Sequence, residues 1–131
     1  MKSALLEFES NAFAAEPGEE EHTNPGVFGK ALATWLSAQL RPSGFVTGEI
    51  LAEDFGWCIP IESRPHHLYV VCSSDGESPT AWRVFVFAEG GLLQRLLGKD
   101  QRRQLVSSLF SAVKQVLASS PQVSGLREDS G

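Results

Sequence analysis

Apolar positions recur along this chain with two different periods, and each change of period marks an element. From 28 to 40 the period is helical. Phe28, Leu32, Trp35, Leu36 and Leu40 fall on one face, with Lys30, Thr34 and Ser37 on the other. Thr23 or Asn24 is expected to cap this helix, since either side chain accepts from an otherwise unpaired backbone N–H. Pro25 suits the first turn, where its missing N–H is not needed. Pro42 and Gly44 stop the helix. The helical period returns over 101–119, where Leu105, Leu109, Val113, Val116 and Leu117 form a stripe widened by Val106 and Phe110. Asp100 is placed to cap this second helix, and Pro121 ends it.

Between the helices the pattern is that of strands. Segments 45–51, 57–62, 67–73 and 81–88 are strand candidates, with turns at 53–56, around Arg64-Pro65, and over 74–79. Short turns join antiparallel neighbours, so a meander is expected. Pro60 conflicts with its strand because it cannot donate to a ladder, which predicts a bulge or incomplete pairing there. A short strand is expected over 5–10 and another over 123–127. Gly90-Gly91 should break the fourth strand of the meander, and Leu92, Leu93, Leu96 and Leu97 should form a short amphipathic turn ending at Gly98. The reading is a single α+β domain over 1–131: a four- to five-stranded antiparallel sheet with two main helices packed on one face. Residues 1–22 are the N-terminal strand and acidic loop, and 120–131 a C-terminal short strand and tail. Trp82, Val84 and Val86 point to one side of their strand, Phe85 and Phe87 to the other. The second side must be covered by the N-terminal segment, by residues 92–97, or by a second copy in a homodimer.

Composition narrows the class. The chain has 131 residues, 42% apolar and 21% charged, which is ordinary globular usage. No apolar run approaches the roughly 20 residues of a membrane-crossing helix, and the N-terminus lacks a secretory pattern, so a cytoplasmic protein without a membrane partner is expected. Charge is uneven. Residues 1–62 carry ten acidic and three basic side chains (−7), and 63–131 carry six and eight (+2), giving the overall −5. Phosphate contacts need clustered cations, so a nucleic-acid partner is disfavoured and a basic protein partner favoured. Arg95, Lys99, Arg102 and Arg103 are read as solvated charges beside leucines that close one end of the core.

Candidate chemistry is sparse. Cys58 and Cys72 form no metal-binding pair motif, but sit on neighbouring strands where a hairpin about Pro65 would bring them nearly opposite. They read as small buried residues. His66 and His67 are adjacent and should point to opposite faces, a poor geometry for one metal. Asp54-Phe55-Gly56 matches a kinase tripeptide by accident, since the phosphate loop, strand lysine and catalytic-loop residues are missing. The informative segments are Gly18-Glu19-Glu20-Glu21-His22-Thr23-Asn24-Pro25-Gly26 and Glu53-Asp54-Phe55-Gly56-Trp57, which place carboxylates beside turn formers and aromatics.

The same two segments, with Val27-Phe28-Gly29-Lys30, Leu32-Ala33 and Trp35-Leu36, resemble a family of small uncharacterised bacterial proteins. In that family a Gly-Glu-x-Glu-x-Thr-Asn-Pro-Gly run enters the first helix and a Glu-Asp-Trp-Gly-Trp turn follows. Here Phe55 stands where the pattern has Trp. The resemblance implies no activity, but it singles out residues. Glu19, Glu21, Thr23, Asn24, Glu53, Asp54 and Trp57 are the candidate binding residues. The favoured expectation is a non-enzymatic protein-binding module, immunity-like or regulatory, with an acidic surface and no cofactor or metal. The alternative is a small enzyme or a divalent-cation-binding protein built on a carboxylate cluster.

Overall fold

The computed structural model describes residues 1–64, 66–89 and 99–130, with the backbone alone at 99 and 100. The expected break at Gly90-Gly91, the amphipathic turn over 92–97, Arg95 and the side chains of Lys99 and Asp100 lie outside the described residues, as does Pro65. The elements are β1 (Leu5–Glu9), α1 (Lys30–Leu40), β2 (Leu51–Glu53), β3 (Gly56–Ser63), β4 (His66–Ser74), β5 (Ala81–Glu89), α2 (Lys99–Ser119) and β6 (Ser124–Asp129). The fold is α+β with an antiparallel sheet, as the periodicity predicts. The sheet has six strands rather than four or five, in the order β2-β3-β4-β5-β1-β6. Only β2 to β5 form a meander. The N-terminal strand inserts between β5 and the C-terminal strand, a long-range pairing that no local turn announces.

One side of the sheet faces the helices. Ile61, Leu68 and Ala88 lie in one register row, Ile59, Val70 and Val86 in the next, and Trp57, Cys72, Val84 and Leu6 in a third. All are buried, together with Leu32, Leu36 and Leu40 of α1 and Leu109, Val113 and Leu117 of α2. α1 lies against β3 and β4, and α2 against β5 and α1. Strict alternation makes this possible, because a period of two sends every second side chain to the same face.

Two local expectations are corrected and a third holds in one of its two forms. Pro60 causes no bulge, since β3 and β4 stay in register from Trp57↔Cys72 to Ser63↔His66, but β3 is incompletely paired on its other side, where β2 reaches only Cys58 and a single bridge joins Thr47 to Ile61. Its ring nitrogen faces away from β4, toward an irregular segment where Gly48 N–H donates to Pro60 O at 2.8 Å and Glu62 N–H to Val46 O at 2.9 Å. No ladder bond is lost on the β4 side. That irregular segment replaces the expected strand over 45–51, which the regular strand Leu51–Glu53 overlaps at Leu51 alone. The first helix begins at Lys30, several residues beyond Thr23 and Asn24. Asn24-Pro25-Gly26-Val27 instead closes a turn with Val27 N–H donating to Asn24 O at 3.0 Å, Gly26 standing at φ 81°. Pro before a left-handed Gly is the type II turn pattern, and the same residues mimic a helix start in sequence.

Candidate functional site

The open end of the sheet, where β3 and β5 begin and β4 ends, is built from three loops. Residues 10–29 lead from β1 to α1, 53–56 turn β2 into β3, and 75–80 join β4 to β5. Backbone bonds tie them together. Asn24 N–H donates to Asp54 O at 2.8 Å, Ser10 N–H to Thr80 O at 2.9 Å, and Ser74 N–H to Phe28 O at 2.8 Å. The Ser74 hydroxyl accepts from Phe28 N–H at 3.0 Å, and the Trp82 indole donates to Ser10 O at 3.0 Å. Asp75 closes its own turn by accepting from Glu77 N–H at 2.9 Å. The two acidic segments singled out in the sequence therefore share one surface.

Glu19 is not a surface carboxylate. It is 4% exposed. Its Oε1 accepts from Gly29 N–H and Lys30 N–H at 2.7 Å each, and its Oε2 from Glu16 N–H at 2.9 Å. It fills the capping role assigned in sequence to Thr23 or Asn24, satisfying N–H groups that the first helical turn leaves unpaired and placing negative charge at the positive end of the dipole. Thr23 is buried and its hydroxyl donates to Val27 O at 2.7 Å. Asn24, Glu21, Glu53 and Asp54 are exposed. Glu20, also exposed, accepts from Gly26 N–H at 2.9 Å. Trp57 is buried beneath the loops. The His22 ring meets it edge-on at 6.5 Å, Lys30 Nζ lies 5.6 Å from its ring centre, and its indole N–H has no hydrogen-bond acceptor among the described residues. Lys30 also pairs with Glu16 at 3.2 Å.

Two glycines set how closely the loops approach the sheet. A Cβ on Gly29 would stand 2.5 Å from Cys72 O, and one on Gly56 2.6 Å from the same oxygen. The loops thus close on one carbonyl at the end of β4 by backbone alone, a contact only glycine permits.

Beside this clamp the loops enclose a cleft of about 550 Å³. Phe13, Phe28 and Trp82 line it, with Ser74 and Thr80 as polar wall groups. The Phe13 ring packs against Trp35 at 5.2 Å and edge-on to Trp82 at 6.1 Å, which fixes the aromatic wall. Sequence reasoning missed this cleft. Phe28 read as part of the apolar face of the first helix, and only the long-range pairing of β1 with β5 brings Phe13 to Trp82.

Cys58 and Cys72 do not face each other. Trp57 pairs with Cys72 and Cys58 with Val71, so the thiols lie on opposite faces of the sheet. Burial, then the charge of Glu53, pushes the Cys58 thiol up to about 11. Complete burial, then Cys58, raises Cys72 as well. His66 is buried with Nε2 3.2 Å from Gln101 Oε1, while His67 is exposed on the other face. Among the described residues, no three His, Cys, Asp or Glu side chains come together as metal ligands, and no helix is long and apolar enough to cross a membrane. Comparison of the chain with family models, with curated proteins and with solved structures returns no match.

Proposed function

We propose that the protein is a non-enzymatic binding module, immunity-like or regulatory, that docks a basic protein partner on the loop-built end of its sheet. The observation that carries this reading is the Asn24–Asp54 backbone bond, which holds the two acidic loops side by side. Glu20, Glu21, Glu53 and Asp54 are exposed there, and Phe55, 54% exposed, stands at the tip of the β2–β3 turn among them. An apolar anchor ringed by charge of one sign suits a protein interface. The aromatic buries area, and the carboxylates steer a cationic partner and fix its register. The neighbouring cleft offers an aromatic-walled seat for one apolar side chain of that partner. Glu19 and Thr23 serve this surface from beneath, Glu19 by holding the helix start and Thr23 by holding the loop. The engagement of Glu19 with three backbone N–H groups takes one carboxylate out of the carboxylate-cluster alternative.

The test is capture from the source cell's lysate on immobilised protein, at low and at high salt, with wild type and a Glu20→Gln, Glu21→Gln, Glu53→Gln, Asp54→Asn variant. The expected result is retention of a basic protein by wild type at low salt alone, with loss in the variant. Retention that is equal at high salt, or equal in the variant, contradicts an acidic interface.

A further inference from the structure

We infer that the helix-free face of the sheet, the one turned away from both described helices, is a self-complementary interface, and that the chain forms a face-to-face dimer through it. This is independent of the loop-end reading, because it uses a different surface. The helix-free face is layered by register. Glu62, His67 and Glu89 form one row, Pro60, Tyr69 and Phe87 the next, then Cys58, Val71 and Phe85, and at the far end Ser73, Arg83, Glu7 and Arg127. The middle is apolar: Val71 and Cys58 are buried, Tyr69 and Phe85 half-buried, and Phe87 is 36% exposed. Lys2 Nζ lies 4.5 Å over the Phe85 ring.

The charges at the two ends of β5 choose the occupant. Along β5 the residues on this face are Ala81, Arg83, Phe85, Phe87 and Glu89. A two-fold axis running across the strands at Val86 sets Arg83 opposite Glu89 of the partner subunit, twice, and Phe85 opposite Phe87 of the partner subunit. Arg83 is exposed and meets Glu7 at the long distance of 3.8 Å, a carboxylate it shares with Arg127 at 3.7 Å, while the exposed Glu9 lies one row further along β1 on the same face. The other end carries Glu62 and Glu89. A different protein would have to match this order of acid, apolar and base, whereas a second copy matches it by symmetry. An isologous contact requires such self-complementarity. The size also fits. Six strands spaced about 4.8 Å and averaging about seven residues at 3.4 Å give a face on the order of 700 Å², near the about 800 Å² per partner of a standard interface. Two sheets packed this way keep their strands within about 30° of alignment.

Light scattering coupled to gel filtration, from about 1 to 100 μM, tests the inference. Wild type should run at twice the 14.2 kDa of one chain, and Phe87→Glu at the single-chain mass with an unchanged circular dichroism spectrum. Arg83→Glu alone should shift the equilibrium at least tenfold toward monomer. Adding Glu89→Arg should restore the dimer, because the pair is then inverted rather than broken. Wild type at the single-chain mass throughout, a Phe87→Glu variant that stays dimeric, or a double charge reversal that restores nothing overturns the arrangement.

Discussion

Removing the Glu19 carboxylate should cost the protein a large share of its stability although no binding partner is involved. In Glu19→Ala the amides of Gly29, Lys30 and Glu16 lose their acceptor together. Hydrogen bonds to a charged group contribute about 1.5–3 kcal/mol each, and an unpaired buried donor costs about 1–3 kcal/mol. The three bonds share one carboxylate, so they do not add, and a combined loss of about 3 kcal/mol is expected. For a chain of this length that lowers Tm by roughly 10 °C. Glu19→Gln keeps one oxygen for Gly29 and Lys30 but turns an N–H donor toward Glu16 N–H, so its loss should be about half as large. Glu20→Ala removes a single bond, from the exposed Gly26 amide, and should cost under about 1 kcal/mol. Urea titrations followed by tryptophan fluorescence rank the three variants. If Glu19→Ala lies within about 0.5 kcal/mol of wild type, or Glu20→Ala costs as much, the assignment of Glu19 as the helix-start acceptor is refuted.

Other consequences are direct. Gly29→Ala and Gly56→Ala each drive a methyl into Cys72 O and should destabilise by about 3 kcal/mol, read in the same titrations. Cys58 should react with iodoacetamide far more slowly than an unfolded thiol at pH 8, and Glu53→Gln should speed it modestly, because burial is the main cause of its raised pKa and Glu53 the second. The sign of the linkage follows from that shift. A thiol moved from 9.0 to about 11 adds stability that is complete below pH 9 and disappears as pH rises toward 11, so the urea midpoint should fall across that window and be flatter in Cys58→Ser. Mild oxidation should leave no intramolecular disulfide, since the thiols lie on opposite faces, and thiol counting after denaturation checks it.

What the sequence disclosed and what it hid divide by range. Alternation in Ala81–Glu89 and the helical stripe from Leu105 to Leu117 are local signals, and the elements they predict are present. The short strand at the C-terminus was also visible, but not that it pairs with β1, because pairing across the whole chain leaves no local mark. At the candidate site the two acidic segments were legible as neighbours of turns. Their division of labour was not. Glu19, Glu20 and Glu21 are chemically alike in sequence, and only the return of the loop over the start of α1 buries the first while the others stay in solvent. Pro25 misled because its fixed φ serves a helix start and a type II turn equally well, and the left-handed Gly26 decided between them.

The most direct trial is a chemical-shift footprint of the captured basic protein on the isotope-labelled chain. A binding surface made by the two acidic loops predicts that the amides of Glu20, Glu21, Asn24, Asp54 and Phe55 move while those of Val71, Phe85 and Phe87 do not. A footprint centred on the helices or the helix-free face, with those loop amides unmoved, would contradict it.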